Sequence, residues 1–158
     1  MYIGFGYDIH PLVEGRKLFL GGIEIPYTGK GLLGHSDADV LVHAICDALL
    51  GAAGLGDIGV HFPDKDPLYK DISSLSLLAK VFNLITQAGF IINNIDSTVV
   101  SEVVMIAPYR DSMREEIAKI LSLERSRVNI KATTAEGMGH IGADHAIEAY
   151  CVAMLLRP

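Results

Sequence analysis

The sequence predicts a single-domain α/β (α+β) protein, and three observations carry that expectation. Residues 3–10 alternate strictly between apolar side chains and small or polar ones, the period of a strand. The segments 36–51, 73–88 and 108–121 repeat their apolar residues at helical spacing. Between and after those helices, 90–101 and 128–133 return to strand-like composition. A chain of 158 residues suits one domain with a real core.

In the first strand Ile3, Phe5, Tyr7 and Ile9 alternate with Gly4, Gly6, Asp8 and His10, and the glycine side is expected to face open space. Pro11 to Gly15 reads as a turn, and residues 17–27 as two short strands around Gly21-Gly22, a glycine pair typical of a hairpin. Thr28 to Gly34 is a glycine-punctuated, mobile loop that delivers His35 and Ser36 to the next helix. That helix is expected to start with Ser36 as N-cap, followed by Asp37 and Asp39, and to end near Gly51 and Gly54. It is apolar nearly all round and therefore buried. Ser36, Asp39, His43 and Asp47 nevertheless fall within a sector of roughly 80°, a polar stripe that needs partners from elsewhere. Residues 54–67, with three glycines, two prolines and three aspartates, read as a functional loop. The helix at 73–88, capped by Ser73 or Ser74 and ended by Gly89, reads as packing without chemistry. Residues 145–156 are apolar on both parities, which leaves strand and helix open.

Composition excludes some functions. A net charge of −6 and a pI near 5.4 argue against nucleic acid or an anionic membrane surface as partner. No apolar run reaches the length of a membrane span, and the first residues lack the charge and hydropathy of a signal peptide, so a cytoplasmic location is expected. Cys46 and Cys151 lie in apolar segments, as small buried hydrophobes do. Hydrophobic residues at 50% and a mean hydropathy of +0.35 point to subunit interfaces.

Asp8 and His10, two apart on one strand, point to one side. With His43 from the buried helix they make a His, His, Asp set with a fourth position open, the donor pattern of a catalytic zinc. Spacing alone equally allows a strand-end aspartate, a surface histidine and a satisfied core histidine. Likewise the helix start at Ser36 favours an anion, with His35 as donor to a phosphate, or is merely a cap beside a loop histidine.

Four motifs in order, D-I-H at 8–10, G-H-S-D-A-D-V-x-x-H-A-x-x-D-A-L-L-G-A-A from Gly34, G-D-I-G-x-x-F-P-D-x-D-P from Gly56 and N-I-K-A-T-T-x-E from Asn129, resemble the 2-C-methyl-D-erythritol 2,4-cyclodiphosphate synthase family of the non-mevalonate isoprenoid pathway. The resemblance covers essentially all of residues 1–158. It implies a four-stranded mixed sheet with helices on one face, the last segment a strand, and a homotrimer packed through its sheets with active sites between subunits. It implies a lyase that cyclises a cytidine diphosphate ester of methylerythritol 2-phosphate and releases CMP.

By the same resemblance, Asp8, His10 and His43 hold zinc or another divalent transition metal, one per subunit, and Glu136 a magnesium or manganese ion on the diphosphate. His35 and Thr134 position and stabilise the transferring phosphate. Asp8, His10, His35, Ser36, Asp57, Ile58, Gly59, Phe62, Pro63, Asp64, Lys65 and Asp66 match the contacts to the methylerythritol phosphate. Ser101, Met105, Ile106, Ala107, Ala132, Thr133, Thr134 and Glu136 match the cytidine pocket of the adjacent subunit.

The chain departs from the pattern in two places. Met105 stands where a lysine is usual, with Arg110 nearby, and Ala143 and His145 stand where an arginine and a glutamate are common. A catalytically silent zinc- and nucleotide-binding relative and a zinc phosphohydrolase are the alternatives, because an open metal position also activates water.

Overall fold

Alternating residues of one long strand decide the architecture. In the computed structural model, which describes every residue except Thr28 and Asp64 and the side chain of Leu68, strand β1 runs Tyr2–Glu14. Helix α1, Val40–Ala53, lies directly on it. A Cβ added at Gly4 would stand 2.0 Å from the Ala48 carbonyl oxygen, and one at Gly6 2.0 Å from that of Ala44. The glycine side of β1 is thus the helix-packed side, against the expectation of open space. Only glycine lets the two backbones approach this closely.

The short hairpin is as expected, β2 at Leu18–Leu20 and β3 at Ile23–Ile25. Its turn residues Gly21 and Gly22 have φ of 60° and 78°, the conformation of a two-residue hairpin turn that favours glycine. Strand β4, Lys30–Leu32, forms where a loop is expected. Helix α2, Ile58–His61, occupies part of the 54–67 loop. Helix α3, Ser74–Gln87, and strand β5, Ile91–Val100, match their patterns. Pro108 sits in a 3-10 turn at Ala107–Tyr109 that leads into α4, Arg110–Ile120. Strand β6 is Val128–Thr133, the small helix α5 is Gly139–Gly142, and β7 is Ala146–Leu156.

Among the described residues the main sheet has five strands, in the order β4-β1-β7-β5-β6, and not four. The fifth arises because β1 does not turn at Pro11. Residues 12–14 continue straight and pair with β4, while the Pro11 carbonyl accepts the Leu33 N–H at 2.9 Å. Pairing is antiparallel between β1 and β7 and between β7 and β5, and parallel between β5 and β6. β7 therefore lies mid-sheet. Its odd positions, Ile147, Ala149, Cys151, Ala153 and Leu155, are buried under the helices. Its even positions, Tyr150, Val152 and Met154, share the opposite face with Ile3, Phe5 and Tyr7 of β1, which explains apolar residues on both parities.

Within this chain that second face is uncovered: Ile3 is 65% exposed and Phe5 62%. The core sits on the other side, under α1, α3 and α4, with Leu41, Ile45, Leu49, Leu78, Ile85 and Ile117 fully buried. Both cysteines are there, and burial pushes the Cys151 thiol up to about 12 and the Cys46 thiol well above its ordinary value. No described helix is long and apolar enough to cross a membrane.

Candidate metal centre and two cavities

The polar stripe of α1 finds its partners, each residue with a different one. Asp39, and not Ser36, is the N-cap of α1, accepting from Val42 N at 3.1 Å. Ser36 cannot cap because the chain passes through Ala38 at φ 59° before the helix begins, and its hydroxyl instead accepts the Ala38 N–H. The fully buried Asp39 carboxylate also accepts Gly21 N at 2.9 Å and Gly22 N at 2.6 Å. Burial raises its pKa, against those three N–H donors. The hairpin is thereby tied to the helix. One turn beyond His43, Asp47 accepts Ile58 N at 2.8 Å and so holds the start of α2 against α1.

His43 faces Asp8 and His10 across the gap between α1 and β1. Its Nδ1 lies 2.9 Å from Asp8 Oδ2 and 3.1 Å from His10 Nε2, and His10 Nε2 lies 3.0 Å from the same Asp8 oxygen. Three donor atoms form a triangle with edges near 3 Å. A tetrahedral cation with bonds of about 2.0 Å has ligand–ligand edges of about 3.3 Å, so the donor set fits one such ion. Burial alone would raise the Asp8 pKa, but hydrogen bonds and charge from His10 and His43 outweigh it and hold the carboxyl well below the usual range. Burial pushes His43 toward the neutral form, and the Asp8 hydrogen bond and charge reverse this, leaving its pKa raised.

The triad lies in the wall of a cavity of about 240 Å³ that is also lined by Gly34, His35, Ser36, Asp47, Ile58, Gly59, Phe62, Tyr69 and Leu77. His35 Nε2 lies 3.2 Å from the Asp66 carbonyl oxygen. Of the expected methylerythritol-phosphate contacts, Asp8, His10, His35, Ser36, Ile58, Gly59 and Phe62 meet here. Asp57, Pro63, Lys65 and Asp66 are not in the lining, and Asp64 lies outside the described residues. Asp57 caps α2 through Val60 N at 3.0 Å.

The cytidine-pocket residues gather at a second, more open cavity of about 230 Å³. It is lined by Ser101, Val104, Met105, Ile106, Ala107, Arg110, Ala132, Thr133 and Thr134. Glu136 is not in that lining, but its carboxylate accepts the Thr134 hydroxyl at 2.6 Å from a residue at φ 53°. Among the described residues, Ser101 Oγ and Arg110 Nε are buried here without a hydrogen-bond partner. The two cavities share no lining residue. Both sit at the same end of the sheet, where β1 and β6 are three strand steps apart, about 14 Å.

Sequence reasoning missed several supporting residues. Asp37 and Ser74 pack behind His43. Glu102 accepts Ala135 N at 2.8 Å and Gly137 N at 3.2 Å, fixing the turn that carries Thr134 and Glu136. Lys80 lies 4.9 Å from the centre of the Tyr69 ring and 5.9 Å from that of Phe62, both of which line the first cavity. The polar stripe pointed to a partner for His43, but no local pattern says which residues of a distant helix supply it.

Comparison with known proteins agrees with the geometry. The YgbB family model matches residues 1–156. A protein of Desulfatibacillum aliphaticivorans named 2-C-methyl-D-erythritol 2,4-cyclodiphosphate synthase is 59% identical over 155 residues, covering 98% of this chain and 99% of the relative. Among solved structures, the bifunctional IspDF of Campylobacter jejuni superposes with a TM-score of 0.93 at 39% identity, over 98% of this chain and 42% of that longer one. The CDP complex of IspF from Plasmodium falciparum superposes with a TM-score of 0.85 at 34% identity, over 99% of this chain and 96% of the other. With a family model matched over residues 1–156 and a relative 59% identical over 98% of the chain, this chain belongs to the YgbB family, the family of the 2-C-methyl-D-erythritol 2,4-cyclodiphosphate synthases it resembles.

Proposed function

We propose that the protein cyclises 4-diphosphocytidyl-2-C-methyl-D-erythritol 2-phosphate to 2-C-methyl-D-erythritol 2,4-cyclodiphosphate and releases CMP. The observation that carries this is the Asp8, His10 and His43 triangle in the wall of a cavity that also holds His35 and Ser36. The reaction joins the substrate's own 2-phosphate to its β-phosphate, so no water and no covalent enzyme intermediate take part. Catalysis then consists of folding the substrate back on itself and offsetting charge between two phosphates. Asp8, His10 and His43 would hold a divalent transition metal, zinc being the natural choice for two imidazoles and a carboxylate, and it would supply Lewis acidity toward the diphosphate.

As an imidazolium, His35 would donate Nε2–H to the Asp66 carbonyl and its Nδ1–H to the transferring phosphate. The Ser36 hydroxyl and the Gly59 N–H hold the methylerythritol phosphate, and Phe62 and Tyr69 keep water from the reacting atoms. Thr134 orients the diphosphate from the other side. Glu136, which accepts the Thr134 hydroxyl, would hold a magnesium or manganese ion, which would offset charge on the diphosphate. Cytidine occupies the cavity at Ser101, 105–107 and 132–134.

The working form is a homotrimer in which each site takes its metal from one subunit and its cytidine pocket from the next. Two features support this reading: the apolar sheet face of Ile3, Phe5, Tyr7 and Val152, which stable packing would cover, and the separation of the two cavities within one chain. Turnover tests the proposal. CMP together with a cyclic diphosphate, followed by phosphorus NMR, is the expected result. A linear product instead identifies a hydrolase, and no product a silent relative. Mixing an inactive His43 variant with an inactive cytidine-pocket variant is expected to restore part of the activity, because mixed trimers contain some intact sites.

A further inference from the structure

Helix α3 reads as packing alone, yet its first residue touches the metal centre. His43 presents Nδ1 to Asp8 and His10, and its other ring nitrogen, Nε2, lies 2.9 Å from Ser74 Oγ and 3.1 Å from Ser36 Oγ. Ser74 is fully buried, and its hydroxyl donates in a short hydrogen bond to Asp37 Oδ1. The other Asp37 oxygen accepts Ser74 N at 2.8 Å. Asp37 therefore caps α3, which is why Ser73, the N-cap by position, makes no side-chain cap.

The directions of these bonds are forced. An ionised carboxylate only accepts, so the single Ser74 proton goes to Asp37. Ser74 Oγ can then only accept from His43, and Nε2 must carry the hydrogen. In the neutral ring Nδ1 then carries the lone pair, on the side of Asp8 and His10; without a cation, a second proton on Nδ1 donates to Asp8. We propose that Ser74 and Asp37 are positioning residues for the metal centre, a carboxylate–hydroxyl–imidazole chain that locks His43 in the tautomer presenting Nδ1 to the cation. The chain spans three parts of the fold: the segment before α1, α1 itself, and the N-terminus of α3. Asp37 N also donates to Ile72 O at 3.1 Å and Asp71 N to His35 O at 2.8 Å, so the same junction seats His35. Partners behind a metal-bound histidine set its orientation and raise its basicity, and their loss commonly lowers metal affinity 10- to 100-fold.

This inference rests on the metal reading given above, and its test separates the two. Cobalt(II) affinity would be measured by chelator competition in the full-length protein, together with the visible spectrum of the bound ion and the ring ¹⁵N shifts of His43. Ser74→Ala is expected to weaken Co²⁺ binding at least tenfold, alter the spectrum and mix the two His43 tautomers. Ser73→Ala, one residue away and outside the chain of bonds, is expected to change none of these. If Ser74→Ala does not fold, Asp37→Asn decides, because it keeps the shape but turns an amide NH₂ against either the Ser74 hydroxyl or its N–H; a several-fold loss of Co²⁺ affinity is expected. Unchanged affinity and spectrum in the folded variant overturn the inference, even if thermal stability falls. A wild-type protein that takes up no Co²⁺ overturns the metal reading itself, and the inference with it.

Discussion

The two cavities are built on opposite principles. Around the metal triad, polar atoms already bond one another: His43 with Asp8, Ser36 and Ser74, Asp39 with three backbone N–H groups, Asp47 with Ile58. At the second cavity Ser101 Oγ and Arg110 Nε are buried without partners among the described residues, and Met105 is 76% exposed. A site that must hold a metal in fixed geometry has its supporting bonds in place beforehand. A site left with unmet donors and an exposed methionine is one that a ligand or a neighbouring subunit completes. Substitutions near the first should therefore cost structure or metal, and those near the second should cost ligand affinity alone.

The largest expected effect is from His43→Ala, which should abolish Co²⁺ or Zn²⁺ uptake and turnover while far-UV circular dichroism stays native. Retained stoichiometric binding would show that the triad is not the metal centre. Next comes the close approach of β1 and α1. A side chain at Gly6 would stand 2.0 Å from the Ala44 carbonyl, so Gly6→Val should cost at least about 2–3 kcal/mol, or roughly 5–10 °C in melting temperature. Ala107→Ser at the second cavity should leave the melting temperature within a degree or two. An equal drop in both would erase the distinction between a prebuilt and an unfinished site.

Acidity probes the first cavity differently. The raised pKa of His43 means protons compete with the metal from above the ordinary histidine value, about 6.5, and affinity should fall by up to about tenfold per pH unit below it. For the metal-free protein the signs are opposite for the two partners. His43 contributes stability that is full below its unfolded pKa and lost as pH rises through its raised folded value. Asp8 contributes stability present above its unfolded pKa and lost as pH falls through its depressed folded value. Metal-free melting temperature should thus peak between about pH 4 and 6.5, whereas metal-loaded protein should keep rising past that window.

The smallest effect tests the second cavity's unmet donor. Arg110→Ala should weaken CDP binding by about tenfold if the guanidinium takes the charge that the usual lysine carries, a loss of about 1.4 kcal/mol. Met105→Lys should strengthen CDP binding by no more than the same factor. Calorimetry that finds neither change would mean that this loop does not face the diphosphate.

Much of this was written locally in the chain. Strand and helix periods, the hairpin glycines, Ser73 as the boundary of α3 and the placing of Asp8 and His10 on one side of a strand could be read from residue type and spacing, because each depends on neighbours within a few positions. The motifs that mark the family could be read in the same way. Three-dimensional packing decided the rest. That Gly4 and Gly6 lie beneath a helix, with Phe5 turned outward, depends on which face α1 chooses. That β1 runs through Pro11 and gains β4 depends on a partner 20 residues away. That Asp39 displaces Ser36 as cap depends on one left-handed residue, Ala38, and on two glycine N–H groups of the hairpin. Above all, Asp37 and Ser74 meet His43 only because α3 docks beside α1, and no period in a sequence encodes a contact whose geometry is set by the docking of two helices.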